Sequence, residues 1–135
     1  MEFTLEVNWL LILGSAIIAQ VLGFIWYSEG LFGKAWMKEL KFSSSELELK
    51  PSTLALVFIG SILSALVLAN FVIFLQAKDF GQGLFIGFLL SIPVFFAMMT
   101  QFLFSKKSWK LLFIDALYPA FWLIISGGLF ASMIK

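Results

Sequence analysis

TLALVFIGSILSALVLANFVIFL, residues 53–75, holds no charged side chain. At about 1.5 Å rise per residue, a helix of this length crosses a hydrocarbon core of roughly 30 Å. Three more stretches read the same way, giving predicted spans over 9–27, 53–75, 83–104 and 111–134. None contains Lys, and only the last contains an acid, Asp115. A soluble chain of 135 residues would seldom carry four such segments. Its surface would also need about 25% charged residues, where this sequence has 13% charged, 61% hydrophobic and a mean hydropathy of +1.03. The predicted fold class is therefore an all-α membrane protein. Its four transmembrane helices form a compact bundle, and residues 1–135 make one integral membrane domain.

The first segment reads as a retained helix and not a cleaved leader. The preceding residues carry Glu2 and Glu6 and no Lys, and no clear small-residue cleavage site follows. Lysine placement sets the orientation. The connection 28–52 holds Lys34, Lys38, Lys41 and Lys50, and the connection 105–110 holds Lys106, Lys107 and Lys110; the opposite side has only Lys78 and Lys135. Both lysine-rich loops are expected on the cytoplasmic side of the membrane, with both termini outside. Trp9, Trp26, Tyr27 and Trp109 lie at span ends, as interfacial aromatics do.

Within the first loop, Leu31, Phe32, Ala35, Trp36 and Leu40 fall on one helical face. That predicts a short amphipathic interfacial helix over about 30–41. Ser43-Ser44-Ser45-Glu46 reads as a turn and N-cap, and Pro51 suits the first position of a helix. Each span also carries small residues at every fourth position: Ser15, Ala19 and Gly23; Ser61, Ala65 and Ala69; Gly83, Gly87 and Ser91; Gly127 with Ala131, and Gly128 with Ser132. Such spacing lines one helix face and lets backbones approach closely, within one chain or between copies.

The sequence offers little for catalysis. It has no His and no Cys, removing the commonest general base and metal ligand and any thiolate chemistry. A catalytic site would rest on Glu29, Asp115 and tyrosines alone, so the chain is expected not to be an enzyme and to hold no cofactor. With a net charge of +1 and no Arg, no nucleic-acid partner is expected. The expected partners are the bilayer, a second copy, or a membrane protein.

Asp115 lies near the inner end of the fourth span, and Pro119 removes the N–H that would bond its carbonyl. It reads either as a protonatable or cation-contacting site, or as an interfacial acid paired with Lys106 or Lys110. Gln101 and Thr100 are at similar depth on the antiparallel third span, and Tyr118 is one turn beyond Asp115. With Tyr27, Ser28 and Glu29 they are candidates to converge near the cytoplasmic face. Gln20 and Asn70 lie deeper and read as interhelical hydrogen-bonding groups or substrate contacts.

Val7-Asn8-Trp9, Gly23-x-x-Trp26-Tyr27-Ser28 and Leu31-Phe32-Gly33-x-x-Trp36, with Trp109-Lys110-Leu111, Ile114-Asp115-Ala116-x-Tyr118 and Gly127-Gly128 toward the end, resemble a small bacterial membrane family, domain of unknown function 1761. The resemblance implies four membrane helices and a bacterial source, and supplies no activity. Glu29 stands where that family has Pro, Asp115 where Asn is expected, and Ser105 where an acid is common. An amide in place of Asp115 speaks against an obligatory proton carrier there. Trp26, Tyr27, Gly33 and Trp36 read as a membrane-surface elbow, with Gly33 permitting the bend. The functional expectation is a non-catalytic membrane protein with a packing, assembly or accessory role; the alternative is a small transporter or channel with a polar site near Asp115.

Overall fold

The computed structural model describes residues 2–134, apart from the side chain of Ser44. It holds five α-helices: α1 Trp9–Trp26, α2 Gly33–Leu40, α3 Pro51–Phe74, α4 Phe80–Phe104 and α5 Trp109–Met133. All but α2 are long and apolar enough to cross a bilayer, and the protein is a multi-pass membrane protein. Lys135, counted above with the outer side, lies outside the described residues.

The helix boundaries have local causes. The Asn8 side chain accepts from the Leu10 and Leu11 N–H groups, Asp79 from Gln82 and Ser108 from Leu111, so α1, α4 and α5 each start on a capping side chain. Pro51 occupies the first turn of α3. The segment Ser44–Glu46 is a single 3-10 turn, and Ser43 Oγ donates to Glu46 Oε1 over 3.0 Å.

Three of the helices end alike. Lys41, Gln76 and Lys106 have φ of 59°, 53° and 56°. After each, the next N–H reaches back to a carbonyl in the last turn: Phe42 to Met37, Ala77 to Val72 and Lys107 to Phe102. This is the Schellman arrangement, which satisfies carbonyls left open at a helix end. None of the three left-handed positions holds glycine, so each carries a steric cost of about 1–2 kcal/mol.

Half of the apolar window of α5 is buried, against 22–33% for the other three spans, so α5 is the central helix. It meets α1 and α3 through Ile12, Ala65, Leu68, Trp122 and Phe130, all buried. A second cluster, Phe102, Leu111, Leu112 and Ala116 with Trp36 against it, closes the other end. Most of the spaced small residues are buried within this one chain, and Gly23, Ser61 and Ser132 are half-buried. Ser15 and Ala19 are covered, Ala65 and Ala69 are covered, and Gly83 and Gly87 lie on the Gly127 and Leu123 backbone of α5. α4 packs chiefly on α5, and this glycine seam is the means.

The interfacial helix is shorter than its apolar pattern implied, covering Gly33–Leu40 in place of 30–41. Residues 27–32 are instead a hydrogen-bonded turn, with Leu31 N–H and Gly33 N–H both donating to the Ser28 carbonyl. Glu39 fastens the far end of α2 by accepting from Ser108 Oγ over 2.6 Å.

Candidate functional site

The polar chemistry of the bundle gathers where α1 ends against the first half of α5. The two helices run antiparallel, so residues of rising number on α1 meet residues of falling number on α5. Tyr118 and Trp122, four apart on α5, donate to the carbonyls of Ala19 and Ser15, four apart on α1. One turn further along α5, the Ser15 and Ser126 hydroxyls bond each other at 2.7 Å, both buried. At the end nearer α2 the direction reverses. The Trp26 indole N–H of α1 reaches the Ile114 carbonyl of α5 over 2.8 Å, and Tyr27 donates its hydroxyl to Asp115 Oδ1 over 2.7 Å. In the same half of α5, Pro119 withholds the backbone N–H that would bond the Asp115 carbonyl.

Asp115 is half-buried, and the hydrogen bond that holds it comes from Tyr27. Neither Lys106 nor Lys110 takes the role the sequence offered them. Tyr27, Asp115 and Tyr118 form one unit, with the Tyr27 and Tyr118 ring centroids 5.9 Å apart and Trp36 of α2 4.8 Å from Tyr27. Gln20 adjoins it through a cavity of about 250 Å³ that Gln20, Tyr27, Trp36 and Tyr118 all line. Its amide nitrogen donates to Ser61 Oγ of α3 at 3.2 Å.

Gln101 and Thr100 do not join this cluster. Both are exposed, and Thr100 Oγ1 turns back to the Phe96 carbonyl of its own helix. Glu29 is also exposed, and Ser28 bonds the Ile25 carbonyl. Asn70 works elsewhere: it accepts from Thr4 N–H, donates to the Thr4 and Leu66 carbonyls, and ties the N-terminal segment across α3. Trp26 sits at the end of its span as expected but faces inward, only 8% exposed, so it is a packing donor and not a headgroup anchor.

Sequence reading missed Trp122, Ser15 and Ser126 as polar partners. The available signal was a pair of hydrogen-bonding aromatics spaced four apart opposite small residues spaced four apart, which lets a long ring reach a neighbouring backbone. Among the described residues no three His, Cys, Asp or Glu side chains gather to hold a metal ion.

The Tyr27–Asp115 bond has a measurable size. Interhelical hydrogen bonds in membranes average about 0.6 kcal/mol, with a maximum near 1.7. A double-mutant cycle of Tyr27→Phe and Asp115→Ala, read by unfolding in mixed micelles, is expected to return a coupling in that range, near its upper end. Additive single variants would mean that the two groups do not interact.

Residues 10–131 match the family described as "Protein of unknown function (DUF1761)", and the chain belongs to that family. Neither a curated protein nor a solved structure matches the chain.

Proposed function

We propose that this chain is a non-catalytic protein of the bacterial inner membrane, with both termini outside, whose work is helix packing, assembly or an accessory interaction. The observation that carries the reading is the pairing inside the bundle. Among the described residues, no buried side-chain nitrogen or oxygen lacks a hydrogen-bond partner. In a bilayer, a route for a polar solute needs groups that face a hydrated path, whereas Ser15, Trp26, Trp122 and Ser126 all bond across α1 and α5. Such a seam rigidifies the bundle and leaves its outer faces, rich in Phe and Leu, to lipid or to a neighbouring membrane protein.

A small transporter or channel is the second reading. The specific observation in its favour is the cavity beside Tyr27 and Tyr118, one hydrogen bond from Asp115. Reconstituted vesicles with a pH-sensitive dye inside separate the two. The packing reading expects proton flux equal to that of protein-free vesicles, for the native chain and for Asp115→Asn alike. Flux above that baseline, lost in Asp115→Asn and kept in Gln20→Leu, would replace it with the transport reading.

A further inference from the structure

The cavity between α1, α2, α3 and α5 has walls of unusual chemistry. Tyr27, Trp36, Tyr118 and Phe24 supply aromatic surface, and Leu47 of the segment before α3 closes one side. The Trp36 ring is tilted 57° to Tyr27 and the Tyr118 ring 66°, so the three rings make a corner and not a stack. A volume of about 250 Å³ is several times the roughly 30 Å³ share of one water. None of the side chains lining it is charged.

Both tyrosines have already committed their single O–H proton, Tyr27 to Asp115 and Tyr118 to the Ala19 carbonyl. What they leave for an occupant is lone pairs and the negative faces of their rings. The Asp115 carboxylate stands directly behind Tyr27 and adds negative potential to the same wall. Lys107 shares the neighbourhood of Asp115 from the α4–α5 turn but does not line the cavity. An anion, or a ligand that must accept hydrogen bonds from these two hydroxyls, is therefore disfavoured. A cation over ring faces in a low-dielectric site gains where the same cation in water would not.

We propose that this cavity is a binding site for an organic ammonium ion bearing apolar substituents, held over the ring faces of Tyr27, Trp36 and Tyr118 with Asp115 as the second-layer counter-charge. The proposal goes beyond the packing reading and does not depend on it, because a held cation need not be carried across the membrane.

The probe is benzyltrimethylammonium, compared with neopentylbenzene, which replaces the nitrogen by carbon at nearly equal shape. Binding to the full chain in neutral-detergent micelles is followed by tryptophan fluorescence and calorimetry, with protein-free micelles subtracted. The cation is expected to bind at least tenfold more tightly than its neutral isostere. Trp36→Leu should cost tenfold or more for the cation and little for the isostere, while Trp36→Phe keeps most of the affinity. Leu54→Trp, which fills the cavity from α3 and leaves the aromatic wall in place, should abolish saturable binding with the helical circular dichroism unchanged. Equal affinity for the two probes would identify a merely apolar pocket suited to an acyl chain and would overturn the proposal. So would an undiminished cation affinity in Trp36→Leu or Leu54→Trp, or an absence of saturable binding up to millimolar probe.

Discussion

Gly83→Ala is expected to destabilise the bundle by about 3 kcal/mol, the upper part of the range for forcing atoms into a filled interior. A Cβ at Gly83 would run into the Gly127 carbonyl of α5, and one at Gly127 would run into the Gly83 carbonyl in return. The obstacle on each side is backbone, which cannot rotate away as a side-chain tip can. Relief would require α4 and α5 to separate, and α4 has little other contact to hold it. Gly60 and Gly14 supply the control within the same protein. Beyond the local helix backbone, no heavy atom lies within 4 Å of a Cβ placed at either, so alanine there should not destabilise, and its helix propensity gains up to about 1 kcal/mol. Unfolding by sodium dodecyl sulfate, followed by circular dichroism, measures all of these on one scale. Gly83→Ala combined with Gly127→Ala should cost less than the sum, because the first substitution already opens the gap that the second needs. If Gly83→Ala proved as harmless as Gly60→Ala, the two backbones would not be in contact, and the packing of α4 would need another account.

The spans were legible from residues 53–75 and their three counterparts because hydrocarbon thickness demands length and apolarity together, and nothing else in 135 residues supplies both. The small residues spaced by four were legible for a related reason: only such faces let membrane helices touch. Helix starts were less so. Pro51 marked the first turn of α3, but α4 and α5 begin at Phe80 and Trp109, two or three residues before the apolar stretches, because Asp79 and Ser108 set the first turn in the interface where polarity is no guide. The ends after Leu40, Phe74 and Phe104 carry no glycine flag, since Lys41, Gln76 and Lys106 take the left-handed position. For the candidate site, depth was legible and direction was not. Gln101 and Asp115 lie at similar depth, yet Gln101 is exposed and Asp115 meets Tyr27. Rotation about the helix axis is decided by which faces pack, and that is settled jointly by all four spans. Trp26 shows the same limit, since an aromatic at a span end reads as an anchor until a carbonyl on α5 claims its N–H.

Gly33→Ala is the second large effect, expected to cost about 2–3 kcal/mol and to unseat α2. The obvious reason for a glycine in a chain reversal is freedom to adopt positive φ, and the sequence invited that reading. Among the described residues no glycine has positive φ. Gly33 is constrained by space: an added Cβ would strike the Tyr27 carbonyl and the Ser28 carbonyl group. The approach is that close because Gly33 N–H donates to the Ser28 carbonyl at 2.8 Å, drawing the start of α2 onto the end of α1. The same closure lays Trp36 on Tyr27 and puts Phe32 4.7 Å from Trp26. Alanine at 33 should therefore loosen both aromatic pairs together and shift tryptophan emission to longer wavelength, as Trp36 moves toward water. Gly30 is the discriminating control, three residues earlier in the same turn. A Cβ there would meet only Ser28 Oγ at 3.8 Å, ordinary contact distance, so Gly30→Ala should leave stability within about 0.5 kcal/mol and the emission unchanged. If chain flexibility were what this loop requires, the two alanines would act alike. If close approach is what it requires, only position 33 responds, because only there does the backbone of one helix occupy the place of a methyl group on the next.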